Sequence, residues 1–175
     1  MKNILLKSTM VLLFGILLVA SGCKYEDGPI VSFRAKSDRL AQIWNIDKVT
    51  FEGNDFTSSY KKDGVIIAFE VYKNNAYSFN YRNEDKTAIN QSTTHALSKS
   101  FPMADLPFIQ TVGSGGRWTF VNDFEAIQMD GELSQDPNNK VVPEITILEL
   151  KKSALKLKGK NASGQEFVVE FSPMF

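Results

Sequence analysis

Catalysis and metal binding need nucleophiles, bases or ligands at particular spacings, and this sequence has few of them. His95 is the only histidine, and it lies in a polar stretch typical of a solvated surface. The acidic run Asp130–Asp136 lacks the alternating ligands of a calcium loop, so we interpret it as a charged hairpin tip. Residues 113–116 are rich in glycine but precede a predicted strand, so they cannot direct a helix N-terminus at a phosphate. We therefore expect no enzyme, no metal and no cofactor.

Cys23, the only cysteine in the sequence, is the one residue for which we expect a chemical modification. Two lysines, an 11-residue apolar run from Met10 to Ala20 and two small residues precede it, which is the order of a secretory signal peptide. At about 1.5 Å per residue the run covers about half of a ~30 Å hydrocarbon core, so we expect cleavage rather than a membrane span. Residues 20–23 resemble a lipobox, which predicts that residues 1–22 are removed and that the Cys23 thiol is acylated.

Acylation would anchor the protein to a membrane of the cell envelope. Each buried CH₂ contributes about 0.8 kcal/mol, so two or more chains of palmitate length hold a protein stably. Lys24 rather than aspartate comes directly after the cysteine, and in the sorting rule of Gram-negative lipoproteins this predicts the outer membrane. The tract Lys24–Asp27 is similar to an export signal for the outer face. The sequence leaves open whether the domain faces the periplasm or the cell surface.

Size and charge constrain the part of the chain beyond the anchor. The chain has 175 residues, and the 153 after residue 22 suffice for one domain that buries roughly two-thirds of its unfolded surface. Removal of the signal peptide leaves 18 basic and 20 acidic residues, so we expect no nucleic-acid partner. Residues 23–36, which carry Gly28-Pro29, are interpreted as a tether and residues 37–175 as the domain. A single cysteine excludes an intrachain disulfide, and we expect a monomer.

From Trp44 onward apolar and other residues alternate, which is the pattern of antiparallel strands with one buried face. The turn Lys73-Asn74-Asn75 separates strands at 65–72 and 76–82 and predicts a hairpin. Further strands are predicted at 44–51, 88–97, 117–121, 124–129, 145–148, 155–158 and 167–171. About eight to nine short strands favour an all-β antiparallel barrel or a sandwich. A short helix over Ser37–Ile43 is expected to close one end.

The order of these motifs resembles the lipocalin-like domain of small bacterial lipoproteins. Leu40-Ala41-Gln42-Ile43-Trp44 leads into one strand, and Gly116-Arg117-Trp118-Thr119-Phe120 opens another. Gln42 stands where the wider family has the glycine of its Gly-x-Trp signature. The resemblance implies a lipocalin-like barrel over most of residues 34–175.

A barrel of about eight strands either fills its interior with side chains or leaves room for one small ligand. The aromatic residues predicted to face inward, as core or as cavity lining, are Trp44, Phe69, Tyr77, Phe79, Tyr81, Trp118 and Phe120. The apolar segment Phe101–Ile109 contains two prolines and is predicted to be a loop, because proline cannot donate to a strand ladder. Its apolar side chains Phe101, Met103, Leu106 and Phe108 could form a lid over the barrel mouth, or the segment could fold under the barrel as a plug.

These features support two functional hypotheses. The first is a lipid-anchored envelope protein that buries a small hydrophobic molecule against the inward aromatic residues, with Phe101–Ile109 controlling access. The alternative is a surface binding or assembly module that recognises a glycan or an envelope protein. The alternative predicts Trp or Tyr side chains outside the barrel and an uncovered apolar patch around Phe101–Phe108.

Overall fold

A computed structural model describes residues 35–131 and 142–175. The signal peptide, Cys23 and the tether up to residue 34 lie outside the described residues, as does most of the hairpin tip predicted at Asp130–Asp136. Within the two described ranges, no helix combines the length and the apolar character that crossing a membrane requires.

Ten antiparallel strands form one sheet in the described part of the chain. They are β1 (Ile43–Phe51), β2 (Asn54–Asp55), β3 (Lys61–Lys62), β4 (Val65–Val71), β5 (Ala76–Asn83), β6 (Gly115–Val121), β7 (Ala126–Gly131), β8 (Glu144–Leu150), β9 (Leu155–Lys160) and β10 (Glu166–Pro173). Eight of them close into a barrel in the order β1-β10-β9-β8-β7-β6-β5-β4, because β4 also pairs with β1 through Trp44 and Phe69. The predicted all-β, lipocalin-like antiparallel barrel is confirmed, with eight strands in the ring.

Among the described residues, three α-helices accompany the barrel: α1 (Lys36–Leu40), α2 (Gln91–Ser100) and α3 (Pro107–Val112), with 3-10 turns at Thr57–Tyr60, Met103–Asp105 and Asn122–Phe124. The predicted N-terminal helix is present but ends at Leu40, and Ile43 already belongs to β1. α1 closes the barrel end at which β1, β5, β7 and β9 begin, here named the α1 end. Its Leu40 carbonyl accepts a 2.9 Å hydrogen bond from the Trp44 indole, and Arg39 donates to the Leu150 carbonyl at 3.0 Å.

The connection between β5 and β6 differs from the prediction. A strand at 88–97 is wrong: Gln91–Ser100 is helical, and its Asn90 side chain caps the helix by accepting from the Thr93 N–H at 2.8 Å. Apolar residues are too sparse in this stretch to bury a strand face, while an asparagine cap favours a helix start. The segment 101–109 is not an irregular loop either, because Pro107 begins α3, where its missing N–H costs nothing.

Strand β4 is buried on both faces, although alternation predicted one wet face. Val65, Ile67, Phe69 and Val71 belong to the barrel core, whereas Ile66 and Ala68 pack outside the barrel with Ile43 and Met174. The chain end covers this outer wall, and the Met174 N–H donates to the Ile43 carbonyl at 2.9 Å. The cover comes from residues about 100 positions away in sequence, so the local pattern could not indicate it.

Candidate functional site

The structure brings the aromatic residues predicted to face inward into one core cluster. Trp44, Phe69, Tyr77, Phe79, Tyr81 and Trp118 are buried, and Phe120 is half-buried against the same cluster. The rings contact one another: the Phe69 and Phe79 centroids lie 4.9 Å apart in a stacked arrangement, and Tyr77 lies 6.1 Å from Phe69. These are packing distances for aromatic pairs, so this part of the interior is filled.

Phe108 occupies the middle of the barrel interior. It is completely buried, and its ring centroid lies 5.5 Å from Phe79, 5.3 Å from Phe167 and 6.1 Å from Phe171. Phe101 and Leu106 are buried with it, and Met103 is half-buried. Residues 101–112, here named the plug segment, therefore form a plug, but they fill the barrel interior rather than folding under the barrel.

Three tyrosine hydroxyls hold the backbone of the plug segment. The Tyr60 hydroxyl accepts from the Phe108 N–H at 3.2 Å, the Tyr77 hydroxyl donates to the Val112 carbonyl, and the Tyr81 hydroxyl donates to the Phe101 carbonyl. Buried backbone groups require such partners. Burial raises the pKa of Tyr60 and also that of Tyr81 above the usual value for tyrosine.

Tyr60, Phe167 and Phe171 were not among the predicted interior residues. The alternation in β10 places Phe167 and Phe171 on its apolar face, and this signal could have identified them. Tyr60 comes after two serines outside any alternating run, and no local pattern indicates its burial.

The pairing between β5 and β6 is short in the described structure. It covers Ala76–Ser78 and Gly115–Arg117, while β5 continues to Asn83. The plug segment reaches the interior beside this short pairing. At the other end of the segment the backbone approaches β7 closely: a Cβ on Gly131 would lie 2.4 Å from the Val112 carbonyl oxygen. Glycine at 131 permits the approach.

A groove of about 550 Å³ lies on the outer wall over β5, β6 and β7. Its lining includes Asn74, Ala76, Arg117 and Asp130, and the backbone of the Gly115-Gly116 pair. We name it the outer groove. Tyr72 lies beside it, since its N–H donates to the Ala76 carbonyl at 2.9 Å, and its side chain is 42% exposed.

The remaining candidates for chemistry are dispersed. His95 is exposed on α2. Within residues 35–131 and 142–175, no three His, Cys, Asp or Glu side chains lie together in a way that could hold a metal ion. A second groove of about 500 Å³, lined by Thr111, Glu144 and Lys160 among others, lies between α3 and the β9–β10 turn.

Comparison with known proteins assigns no family to this chain. No protein-family model matches the chain, and no match is found among curated proteins. The resemblance to lipocalin-like lipoproteins therefore stays a prediction from the sequence motifs, whereas the structure shows an all-β antiparallel barrel.

Proposed function

We propose that this protein is a lipid-anchored binding module of the outer membrane that holds a polar, glycan-like ligand in the outer groove. The observation that carries the proposal is the combination of a filled interior with a polar groove outside. The barrel contributes a rigid wall, and the acylated Cys23 contributes the attachment to the envelope.

The filled interior weighs against a ligand inside the barrel. Phe101, Leu106, Phe108, Ile109 and Val112 of the plug segment are all buried. Burial of such side chains contributes about 1.5–3 kcal/mol each, so exposing the five costs roughly 10 kcal/mol. A ligand that displaced them would have to offset this cost, which corresponds to about seven orders of magnitude in Kd.

The chemistry of the outer groove suits a sugar. The Arg117 guanidinium offers several N–H donors, the Asn74 amide offers N–H donors while its oxygen accepts from the Ala76 N–H at 3.2 Å, and the Asp130 carboxylate accepts. The Tyr72 side chain beside the groove is 42% exposed, with its hydroxyl donating to Glu70 Oε2 at 2.5 Å, and sugars combine hydroxyl groups with apolar C–H faces that stack on aromatic rings. The groove volume falls within the range of small-ligand sites.

The surface-module hypothesis predicted two features, of which one is present in the described residues and the other is not. An exposed tyrosine outside the barrel is present at position 72. The uncovered apolar patch around Phe101–Phe108 is absent, since Phe101, Leu106 and Phe108 are buried. This outcome favours a polar ligand over an apolar partner at the plug segment.

The anchor has a direct test. Replacement of Cys23 with serine removes the acylated thiol and should move the protein from the detergent-extractable membrane fraction to the soluble fraction. A Lys24→Ser variant keeps the thiol and should remain in the membrane fraction. If the Cys23→Ser protein stays with the membranes, the lipidation proposal is refuted.

The groove is tested by titrating the full chain in detergent with peptidoglycan fragments and lipopolysaccharide-derived oligosaccharides, using calorimetry. Arg117→Ala and Tyr72→Ala should each weaken binding by about tenfold or more, because each removes one of the main contacts. Lys48→Ala, which removes an exposed cation from β1, should leave the affinity unchanged. Equal affinities in all variants, or no binding of any oligosaccharide, would contradict the proposal.

A small hydrophobic molecule inside the barrel is the second candidate. The short β5–β6 pairing favours it, because the plug segment could leave the interior without breaking a long strand ladder. Native mass spectrometry of the purified protein separates the candidates. A retained lipid-like mass supports the interior ligand, whereas a mass shift only with added oligosaccharide supports the outer groove.

A further inference from the structure

The described chain starts at the α1 end of the barrel. Ala35 directly precedes α1, and α1 is joined to the barrel through Arg39 and the Leu150 carbonyl. Cys23 lies 12 residues before Ala35 in the sequence. Twelve residues span at most about 40 Å. If Cys23 is acylated, as the proposed function requires, the α1 end lies near the membrane.

The β6–β7 turn at this end exposes an aromatic side chain. Phe124 is 48% exposed, and it contacts the ring of Phe120 at 5.0 Å and the Lys36 Nζ atom at 4.9 Å from its centroid. Most other large apolar side chains in the two described ranges are buried. A half-exposed phenylalanine at the tip of a turn adds little to the core.

The backbone of the same turn is strained. Asn122, Asp123 and Phe124 have φ angles of 52°, 53° and 70°, in the left-handed region that side-chain-bearing residues rarely adopt and that is least favourable for a bulky one. Strained backbone of this kind clusters at functional positions. Backbone strain and side-chain exposure therefore coincide at Phe124.

Lysines lie on the turns that adjoin the aromatic tip at the α1 end, and the exposed Asp123 and Glu125 flank Phe124 within its own turn. Lys73 lies in the β4–β5 turn and forms an ion pair with Asp38 at 2.7 Å. Lys151 begins the β8–β9 turn and forms an ion pair with Glu149 at 2.5 Å. Lys152 comes next and is exposed. Because acidic partners balance two of these cations, net attraction to anionic lipid is weak. Insertion of the aromatic ring, with lysines at headgroup level, is the interaction this surface fits.

We propose that the α1 end docks on the phospholipid surface to which Cys23 is anchored, with the Phe124 ring at the level of the lipid headgroups. The tether supplies a high local concentration, so a contact too weak to hold a free domain suffices here. Docking fixes the orientation of the barrel, with the α1 end against the lipid and the plug segment toward the opposite end.

The test uses the full-length acylated protein reconstituted into vesicles of phosphatidylethanolamine and phosphatidylglycerol. Phe124→Cys is labelled with an environment-sensitive fluorophore, and the acylated Cys23 leaves the new thiol as the reactive one. Phe175→Cys is the matched control, since Phe175 is 80% exposed but belongs to the chain end that covers the β4 wall. We expect a blue shift and quenching by lipid-borne quencher at position 124, little change at 175, and no reversal by high salt.

The outcomes separate docking from anchoring. If the protein floats with the vesicles but the label at 124 reports water, the docking proposal is overturned and the anchor stands. If the protein does not float with the vesicles, the anchor itself fails. Hydrogen exchange repeats the test on the unlabelled chain: amides 122–125 should exchange several-fold more slowly on vesicles than in the Cys23→Ser protein in solution. Equal rates would overturn docking.

Discussion

Replacement of Phe108 by alanine tests whether the plug segment is part of the core. The side chain is fully buried, and its ring contacts those of Phe69, Phe79, Phe167 and Phe171 at centroid distances of 5.3–6.3 Å. Truncation of a buried phenylalanine costs about 3–5 kcal/mol through lost burial and the cavity that remains. The four ring contacts place Phe108→Ala near the upper part of this range.

Urea denaturation measures the change in the free energy of unfolding, and we expect a loss of about 4 kcal/mol with an unchanged m-value. For a domain of this size the melting temperature should fall by roughly 10 °C. Met103→Ala, on the same segment but half-buried, is the matched control and should cost about 1 kcal/mol or less.

The cavity left by Phe108→Ala is lined by aromatic rings and should stay dry, so it should bind a small apolar molecule such as benzene. Benzene should raise the melting temperature of the variant and leave that of the parent protein unchanged. A cost below about 1 kcal/mol for Phe108→Ala would refute the plug arrangement, because a mobile lid has no buried contacts to lose.

Three other substitutions test the packing around the site. Burial raises the pKa of Tyr60 above the value of 10.0 for unfolded tyrosine, so its protonated hydroxyl contributes stability that is complete below that pH and is lost as the pH rises toward the folded pKa. Tyr60→Phe should flatten this alkaline loss in urea denaturation above about pH 10; an unchanged slope would contradict it. Glu70→Gln removes one partner of an ion pair whose side chains are 7% and 17% exposed and should cost about 2–4 kcal/mol, whereas Asp38→Asn, at an exposed pair, should cost under about 1 kcal/mol; equal thermal shifts would contradict the burial argument. Gly116→Ala places a Cβ 1.9 Å from a backbone oxygen of the neighbouring strand, against 3.3 Å for Gly115→Ala, so the first should destabilise by more than about 2 kcal/mol and the second by less, as judged by circular dichroism on heating.

Much of the barrel could be predicted from local sequence. The alternation in 65–71 and 76–82 and the turn between them correspond to β4, β5 and their register, with Phe69 opposite Phe79. In a strand with one face in the core, the side chains at every second position are buried and therefore apolar. The strand predicted at 88–97 fails for the same reason, since only Ala88 of this stretch pairs with a strand, through a single bridge to Arg82, and the weak alternation reflects no buried strand face.

The candidate site was predicted less completely. The inward aromatic residues were identified, but whether they line a space or fill it depends on what else enters the barrel. The outer groove was not foreseen, because Asn74, Arg117 and Asp130 are far apart in sequence and meet only through the pairing of β6 with β7 and the β4–β5 turn. The residues that line the outer groove form no recognisable sequence motif.

The order of signal peptide, Cys23, tether and alternating strands can be read from the sequence alone, because each of these signals is carried by residues close together in the chain. Of these, the strands other than the one predicted at 88–97 are confirmed, and the anchor stays a prediction. Only the tertiary structure decided that Phe108 fills the barrel and that Phe124 stands exposed at the α1 end. Both features depend on contacts between segments that are far apart in the sequence. The apolar composition of residues 101–112 suits a lid and a plug equally well, and the aromatic side chains of β4, β5 and β10 that surround Phe108 determine which of the two forms.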